Sequence, residues 1–131
     1  MTEAQIALAR RAVAAPGWRW LPGMLTACRV RVHECGPDYI IGHRPGPTKD
    51  GGGMVDTMDL SGFVPDLSDP LTALGLLALV RERWDDPTLC VVFDHDDGTW
   101  AVGRWEDGLS LRARAAPTEV EALVVALEVT P

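Results

Sequence analysis

Two histidines and a cysteine form the grouping in this chain that best suits a metal ion. His33 and Cys35 are two residues apart, and His43 follows on the predicted partner strand of a hairpin. Zinc prefers nitrogen and sulfur ligands, so a turn could bring these three side chains together. A metal-assisted enzyme built on them is one hypothesis, although a fourth ligand would have to come from a distant residue. Surface histidines beside a turn explain the same residues, and we assign no metal ligand.

A second group of ionisable residues lies at positions 94–98, Asp-His-Asp-Asp-Gly. An aspartate beside a histidine can support general-base chemistry, but that chemistry also needs a nucleophile or a bound ligand, which the pattern does not supply. The Asp-Gly pair is a strong signal for the turn of a β-hairpin. We therefore interpret the group as a solvated turn and assign no catalytic residue and no cofactor.

Four arginines alternate with apolar residues in two predicted strands, at Arg29, Arg31, Arg112 and Arg114. If these side chains share an outer sheet face, nearby tryptophans could stack bases beside them, as single-stranded nucleic acid requires. A small nucleic-acid-binding module is therefore the alternative hypothesis. Arginine on an open sheet face is also ordinary solvation.

The charge and composition of the chain limit which of these functions it can have. The chain has 131 residues, 47% of them hydrophobic, and a net charge of −7, which favours one globular domain over residues 1–131. Residues 1–49 carry a balance of +4, residues 50–107 one of −10, and the remainder −1. An acidic protein is a poor generic ligand for a polyanion, because binding depends on clustered cations. The acidic middle region instead suits a basic partner.

The cysteines and the apolar runs predict the cellular compartment of the protein. Cys28, Cys35 and Cys90 are an odd number without a paired spacing, so they indicate free thiols and a cytoplasmic location. Cys28 and Cys90 lie in apolar, strand-like runs and are expected in the core. No signal peptide is expected at the N-terminus. No run is long enough to span a membrane, so no membrane association is expected.

The first half of the chain predicts a helix and three strands. Thr2 and Gln5 have the spacing of a capping box before an alanine-rich helix that extends to residue 15. Residues 24–34 alternate as a half-buried strand does, and residues 39–43 are its predicted hairpin partner. Residues 44–53 form a Gly- and Pro-rich loop before a third strand at 54–60.

The central segment, residues 69–84, has the clearest structural signal. Asp69 or Ser68 is the predicted cap, and Pro70 at the first helical position loses no intrahelical hydrogen bond. Thr72 is the lone polar residue of the apolar body, so we expect a helix that is covered on nearly every side. Gly75 predicts a close crossing by another element.

The last third predicts a three-stranded meander and a helix. Strands are expected at 89–94, 99–105 and 109–113, with turns at the two Asp-Gly pairs. Thr118 and Glu121 have capping-box spacing before an amphipathic stripe. The order is α-β-β-(β)-α-β-β-β-α, an α+β fold with an antiparallel sheet of two hairpin or meander units packed on a buried central helix, and with N- and C-terminal helices.

Three segments carry a resemblance. They are Trp18-x-Trp20-x-Pro22-Gly23-Met24, Pro65-Asp66-Leu67-x-Asp69-Pro70 and Leu76-Leu77-Ala78-Leu79-Val80-Arg81-Glu82-x-Trp84. The chain resembles, most clearly over residues 16–87, an uncharacterised group of small proteins of tailed phages and prophages. The resemblance brings no catalytic residue, cofactor or substrate. It implies an accessory protein that acts inside an infected bacterium.

These observations favour a non-enzymatic accessory protein of phage type that binds a partner, a host or phage protein, in the bacterial cytoplasm. The nucleic-acid-binding module and the metal-assisted enzyme remain the alternatives. The sequence does not decide the oligomeric state.

Overall fold

The computed structural model describes residues 1–46, 52–106, 108–111 and 113–129. Within these residues the chain forms three helices and six strands, in the order α1 (Glu3–Ala14), β1 (Arg31–Cys35), β2 (Ile40–Arg44), β3 (Gly53–Thr57), α2 (Pro70–Arg83), β4 (Cys90–Asp94), β5 (Thr99–Glu106), β6 (Gly108–Leu111) and α3 (Glu119–Glu128). The predicted α+β class and element order are confirmed. Part of the predicted loop at 44–53 lies outside the described residues.

The chain divides into two compact units. The first consists of Met1–Ala9 and Arg19–Gly75, and the second of Arg10–Trp18 and Leu76–Pro131. Each unit contains one antiparallel sheet, in the strand orders β1-β2-β3 and β4-β5-β6. The two predicted hairpin units are therefore separate sheets. The expectation of a single domain stays a prediction.

Local capping signals place the ends of α1 and α3 as predicted. The Thr2 N–H donates to Oε1 of Gln5 at 2.8 Å, and the Gln5 N–H donates to Oγ1 of Thr2 at 3.1 Å. At α3, Oγ1 of Thr118 accepts the Glu121 N–H at 3.1 Å. Both contacts satisfy N–H groups that a helix leaves unpaired at its start.

A bulge interrupts the pairing of β1 with β2. Val32 lies opposite Gly42 and Cys35 opposite Ile40, with a register shift between Val32 and Glu34. One extra residue, His33, is therefore accommodated on β1. The bulge lets Val32 and Cys35, three residues apart, occupy the same covered face of the sheet.

The chain before β1 differs from the prediction of one strand over residues 24–34. It turns back on itself, with the Thr26 N–H donating to the Val30 carbonyl at 2.9 Å and Arg29 at a φ of +71°. A left-handed residue cannot continue a regular strand, so β1 begins only at Arg31. Cys28 consequently lies exposed in the turn, and its predicted place in the core is wrong.

The second sheet is the predicted meander. Asp94 lies opposite Thr99 across the turn between β4 and β5, and Gly98 in that turn has a φ of +66°. This positive φ explains why the Asp-Gly signal locates the hairpin. Helix α3 packs against β4 and β5 of the same unit.

Helix α2 is covered less completely than its composition predicts. Leu71 and Leu74 are 52% and 61% exposed, whereas Thr72, the lone polar residue, is fully buried. The expectation of apolar cover on nearly every side is therefore wrong on the Leu71–Leu74 side. Gly75 does mark a close approach, since a Cβ there would lie 2.7 Å from the terminal methyl group of Met24.

Helix α3 shows the opposite deviation. Its sequence predicts one apolar stripe, yet all six consecutive residues 122–127 are buried. Six consecutive residues span more than one helical turn, so α3 is enclosed on all sides over that length.

Candidate functional site

In the first unit, a buried polar junction forms at the start of α2. Oδ2 of Asp69 accepts the Thr72 N–H at 3.0 Å and the Thr72 hydroxyl at 2.9 Å. This contact caps the helix, as the Asp-Pro signal predicts. Thr72 Oγ1 also accepts the Leu25 N–H at 2.8 Å. The hydroxyl therefore joins the helix to a segment that lies 47 residues earlier.

Arg31 completes the junction from β1. Its Nη1 and Nη2 donate to the two carboxylate oxygens of Asp69 at 2.7 and 3.0 Å, and Nη1 also donates to the Gly23 carbonyl at 2.9 Å. The Asp69 side chain is 11% exposed. Hydrogen bonds from Arg31 are the main cause of a lowered pKa at Asp69, and the same bonds raise the pKa of Arg31. A carboxylate occupied in this way positions the chain and is poorly suited to exchanging protons with a substrate.

In the second unit, a related junction follows the end of α2. Oδ1 of Asp86 accepts the Thr88 N–H at 3.0 Å and its hydroxyl at 2.6 Å, and Oδ2 accepts the Arg104 Nε–H at 2.9 Å. The pKa of Asp86 is lowered to about 2, first by the Thr88 hydroxyl and then by Arg104. Both oxygens of the Asp86 carboxylate therefore accept hydrogen bonds from the chain itself, as those of Asp69 do.

The helix end beside Asp86 has the hydrogen bonds of a Schellman motif. The Asp86 N–H donates to the Arg81 carbonyl at 2.9 Å and the Asp85 N–H to the Glu82 carbonyl at 3.1 Å. Asp85 has a φ of +49°, in the region that glycine usually occupies at this position. The segment Asp85-Asp86-Pro87 is therefore the helix stop.

The structure does not bring the metal candidates together. His43 lies opposite Arg31, and Cys35 lies opposite Ile40. Because His43 and Ile40 are three residues apart on β2, His43 and Cys35 belong to opposite faces of the sheet. His33 is the bulged residue and is exposed. Among the described residues no group of three or more His, Cys, Asp or Glu could hold a metal ion.

The Cys35 thiol has a structural partner. Its Sγ–H donates to the Trp20 carbonyl at 3.0 Å, and burial is the main cause of its raised pKa. A raised pKa reduces the thiolate fraction, which lowers both metal affinity and nucleophilicity.

The acidic turn at 94–98 is bonded within itself. Oδ1 of Asp94 accepts the N–H groups of Asp96 and Asp97 at 2.8 and 3.3 Å. The His95 ring lies edge-on against Phe93, with ring centroids 4.9 Å apart. These contacts are those of a turn.

The four arginines of the nucleic-acid hypothesis have different surroundings. Arg29 is exposed in the turn before β1, and Arg31 is engaged by Asp69. Arg112 lies outside the described residues. Arg114 is exposed in the second unit, beyond β6.

The two most exposed large apolar side chains among the described residues lie outside every site that the sequence suggested. Met54 and Met58 are 62% and 64% exposed on and just beyond β3, with the exposed Asp56 between them. We call these three residues the β3 strip. Their spacing of two was visible in the sequence, but core and surface faces of a strand have the same period, and only the fold shows which face is open.

No protein-family model, curated protein or solved structure matches this chain. Among the described residues no helix is long and apolar enough to cross a bilayer.

Proposed function

We propose that this chain is a non-enzymatic accessory protein of bacteriophage type that works by binding a protein partner in the bacterial cytoplasm. The observation that carries the proposal is the exposure of large apolar side chains beside carboxylates in the first unit. The four that are more than half exposed there, among the described residues, are Met54, Met58, Leu71 and Leu74. They occur as close pairs, one on and just beyond β3 and one on a single turn of α2, and grouped exposed apolar residues are typical of interaction surfaces.

The charge distribution supports a basic partner. Residues 50–107, which include all four exposed side chains, carry a balance of −10. A field of that sign attracts basic proteins and repels nucleic acid. The resemblance of residues 16–87 to phage proteins supports a site of action inside an infected bacterium.

The state of Arg31 supports protein binding over the nucleic-acid alternative. Its guanidinium donates to Asp69 and to a main-chain carbonyl, so its charge is largely used within the fold. A salt-titrated gel shift with single-stranded and duplex DNA is the direct test. We expect no gel shift that depends on Arg29 or Arg114. A shift that is lost in Arg29→Ser or Arg114→Ser would favour the nucleic-acid alternative.

The proposal is tested by affinity capture from lysates of several bacteria with G+C-rich genomes, since eleven of the twelve cationic residues are arginine. Nuclease-treated and untreated lysates are compared at low and high salt, and captured proteins are quantified by mass spectrometry. We expect to capture a basic protein whose recovery does not depend on nucleic acid. Its recovery should be lost with the double variant Met54→Ser/Met58→Ser or with Leu71→Gln/Leu74→Gln.

The matched control is Phe93→Ser, which removes an exposed apolar residue of the second unit. Capture that depends on nucleic acid, or that none of the apolar variants changes, would contradict the proposal, as would capture of nothing above the bare matrix in every lysate.

A further inference from the structure

The two outer strands of the first sheet differ in what lies beside them. On the β1 side, the Gly23 N–H donates to the Val32 carbonyl and the Val32 N–H to the Met24 carbonyl, both at 2.8 Å. On the other side, β3 is the last strand in the order, and no strand of the described residues pairs with its second edge. An uncovered edge presents backbone N–H and C=O groups that can pair with an added strand.

The β3 strip flanks that edge with a regular pattern. Exposure alternates along the strand, with Met54 and Asp56 exposed and Val55 and Thr57 half-buried, and Met58 continues the exposed series. Residues two apart on a strand share a face, so Met54 and Asp56 lie on one face of β3, and the exposed Met58 follows directly after the strand ends. Methionine adapts to partners of varied shape, which suits a contact surface.

The central carboxylate argues against pairing with a second copy of this chain. An antiparallel pair centred on Asp56 would place Met54 opposite Met58, which is favourable, but Asp56 opposite its own copy. Like charges directly opposite one another destabilise a strand pair, and the net charge of −7 adds general repulsion. A cation opposite Asp56 would instead make this cross-strand interaction attractive.

We propose that the free edge of β3 pairs with an extended basic segment of a different protein, in which two apolar residues flank a Lys or Arg at alternate positions. The cation lies opposite Asp56, and the apolar residues contact Met54 and Met58. This inference rests on the proposed function, because it names the surface and the chemistry of the protein partner.

The test uses an end-capped peptide, Gly-Ser-Val-Thr-Lys-Thr-Val-Ser-Gly, and a twin with Glu in place of Lys. Titration of isotope-labelled protein, followed by amide NMR shifts and hydrogen exchange, is expected to show shifts along β3 and slower exchange of the Met54 and Asp56 N–H groups, which face away from β2. We expect the Lys peptide to bind about tenfold more tightly than the Glu peptide, since about 1.4 kcal/mol separates an attractive from a repulsive cross-strand pair.

A charge swap provides the stringent control. Asp56→Lys is expected to invert the preference, so that the Glu peptide binds more tightly. Asp96→Lys makes the same change in net charge at an exposed position of the second unit and is expected to keep the original preference. Equal loss of preference in both variants, or no change in exchange at β3, would overturn the proposal.

Two further outcomes separate this inference from the proposed function. A captured partner that Asp56→Lys retains would overturn the edge assignment while the proposed function stands. Peptide pairing at β3 with no captured protein would support the edge and count against the proposed function. A concentration-dependent dimer in analytical ultracentrifugation that Met54→Lys abolishes would assign the edge to a second copy and overturn the proposal.

Discussion

An aspartate lies near each end of helix α2, and the two carboxylates are held in different ways. Asp69 precedes the helix and binds Arg31, 38 residues earlier, as well as Thr72 within the first turn. Asp86 follows the helix and binds Thr88, two residues later, as well as Arg104. Each carboxylate meets an arginine and a threonine, yet the largest cause of the lowered pKa is the arginine at Asp69 and the threonine hydroxyl at Asp86.

The difference indicates what each junction does for the fold. The contacts of Asp69 join segments that are distant in sequence, so they form only when the first unit is assembled. The main contact of Asp86 is a turn that two neighbouring residues can form alone. Loss of Asp69 should therefore affect the global free energy of unfolding more strongly than loss of a local turn contact.

The largest effect is expected from Asp69→Ala. The substitution removes the helix cap and leaves the Arg31 guanidinium without its carboxylate, so we expect a loss of about 3 kcal/mol in the free energy of unfolding. Urea denaturation followed by circular dichroism measures it. Asp38→Ala, in the exposed turn between β1 and β2, is the control, with an expected change below about 0.5 kcal/mol. Equal effects of the two substitutions would mean that the Asp69 junction does not contribute to the stability of the fold.

Thr72→Val is expected to cost about 2 kcal/mol. The shape is kept, but the Leu25 N–H and one acceptor site of Asp69 lose a buried partner. Thr57→Val is the matched control, because its hydroxyl bonds the Asp59 carbonyl at an exposed site. The same urea experiment compares them, and a Thr72→Val protein as stable as the control would mean that the junction is not energetically important.

Asp85→Gly is expected to stabilise the protein by about 0.5–1 kcal/mol. Glycine adopts the left-handed conformation of this helix stop without the steric cost that a Cβ brings. Asp85→Ala keeps that cost and should give no gain. Thermal unfolding of the three proteins at one pH separates them, and a gain from alanine equal to that from glycine would point to charge and not to backbone strain.

The smallest effect on stability at neutral pH is expected at Thr88, where the readout is a pKa. Asp86 titrates at about 2, below its ordinary 3.8, so it stabilises the fold above about pH 4 and loses that contribution as the pH falls through about 2. Thr88→Val should raise the pKa of Asp86 toward 3.8, measured by NMR titration of the carboxyl carbon. Thr57→Val should leave it unchanged. A pKa that does not move would assign the shift to Arg104.

Much of the local structure could be predicted because its causes are local. The capping pairs of α1 and α3, the Asp-Pro start of α2 and the Asp-Gly turn after β4 each depend on residues within a few positions of one another. The candidate sites were predicted less well. The bulge at His33 separates the metal candidates, and Arg31 is committed to a carboxylate that no sequence spacing connects with it.

The burial of the helices shows the same limit. The distribution of apolar residues predicts that α2 is the more enclosed helix, but α3 is the one enclosed on all sides over residues 122–127, and α2 leaves Leu71 and Leu74 exposed. The hydropathy of a segment indicates how much free energy its burial can contribute, but it does not show which neighbouring element will cover it.

The sequence by itself determined where the three helices begin and where the Asp-Gly turn after β4 lies, since these depend on hydrogen bonds and backbone preferences of near neighbours. The tertiary structure alone decided that Thr72 is buried while Leu74 is exposed, that Arg31 binds Asp69, and that no strand of the described residues pairs with the outer edge of β3. The physical reason is that burial and long-range ion pairs depend on which distant segments meet, and that is settled by the packing of the whole chain.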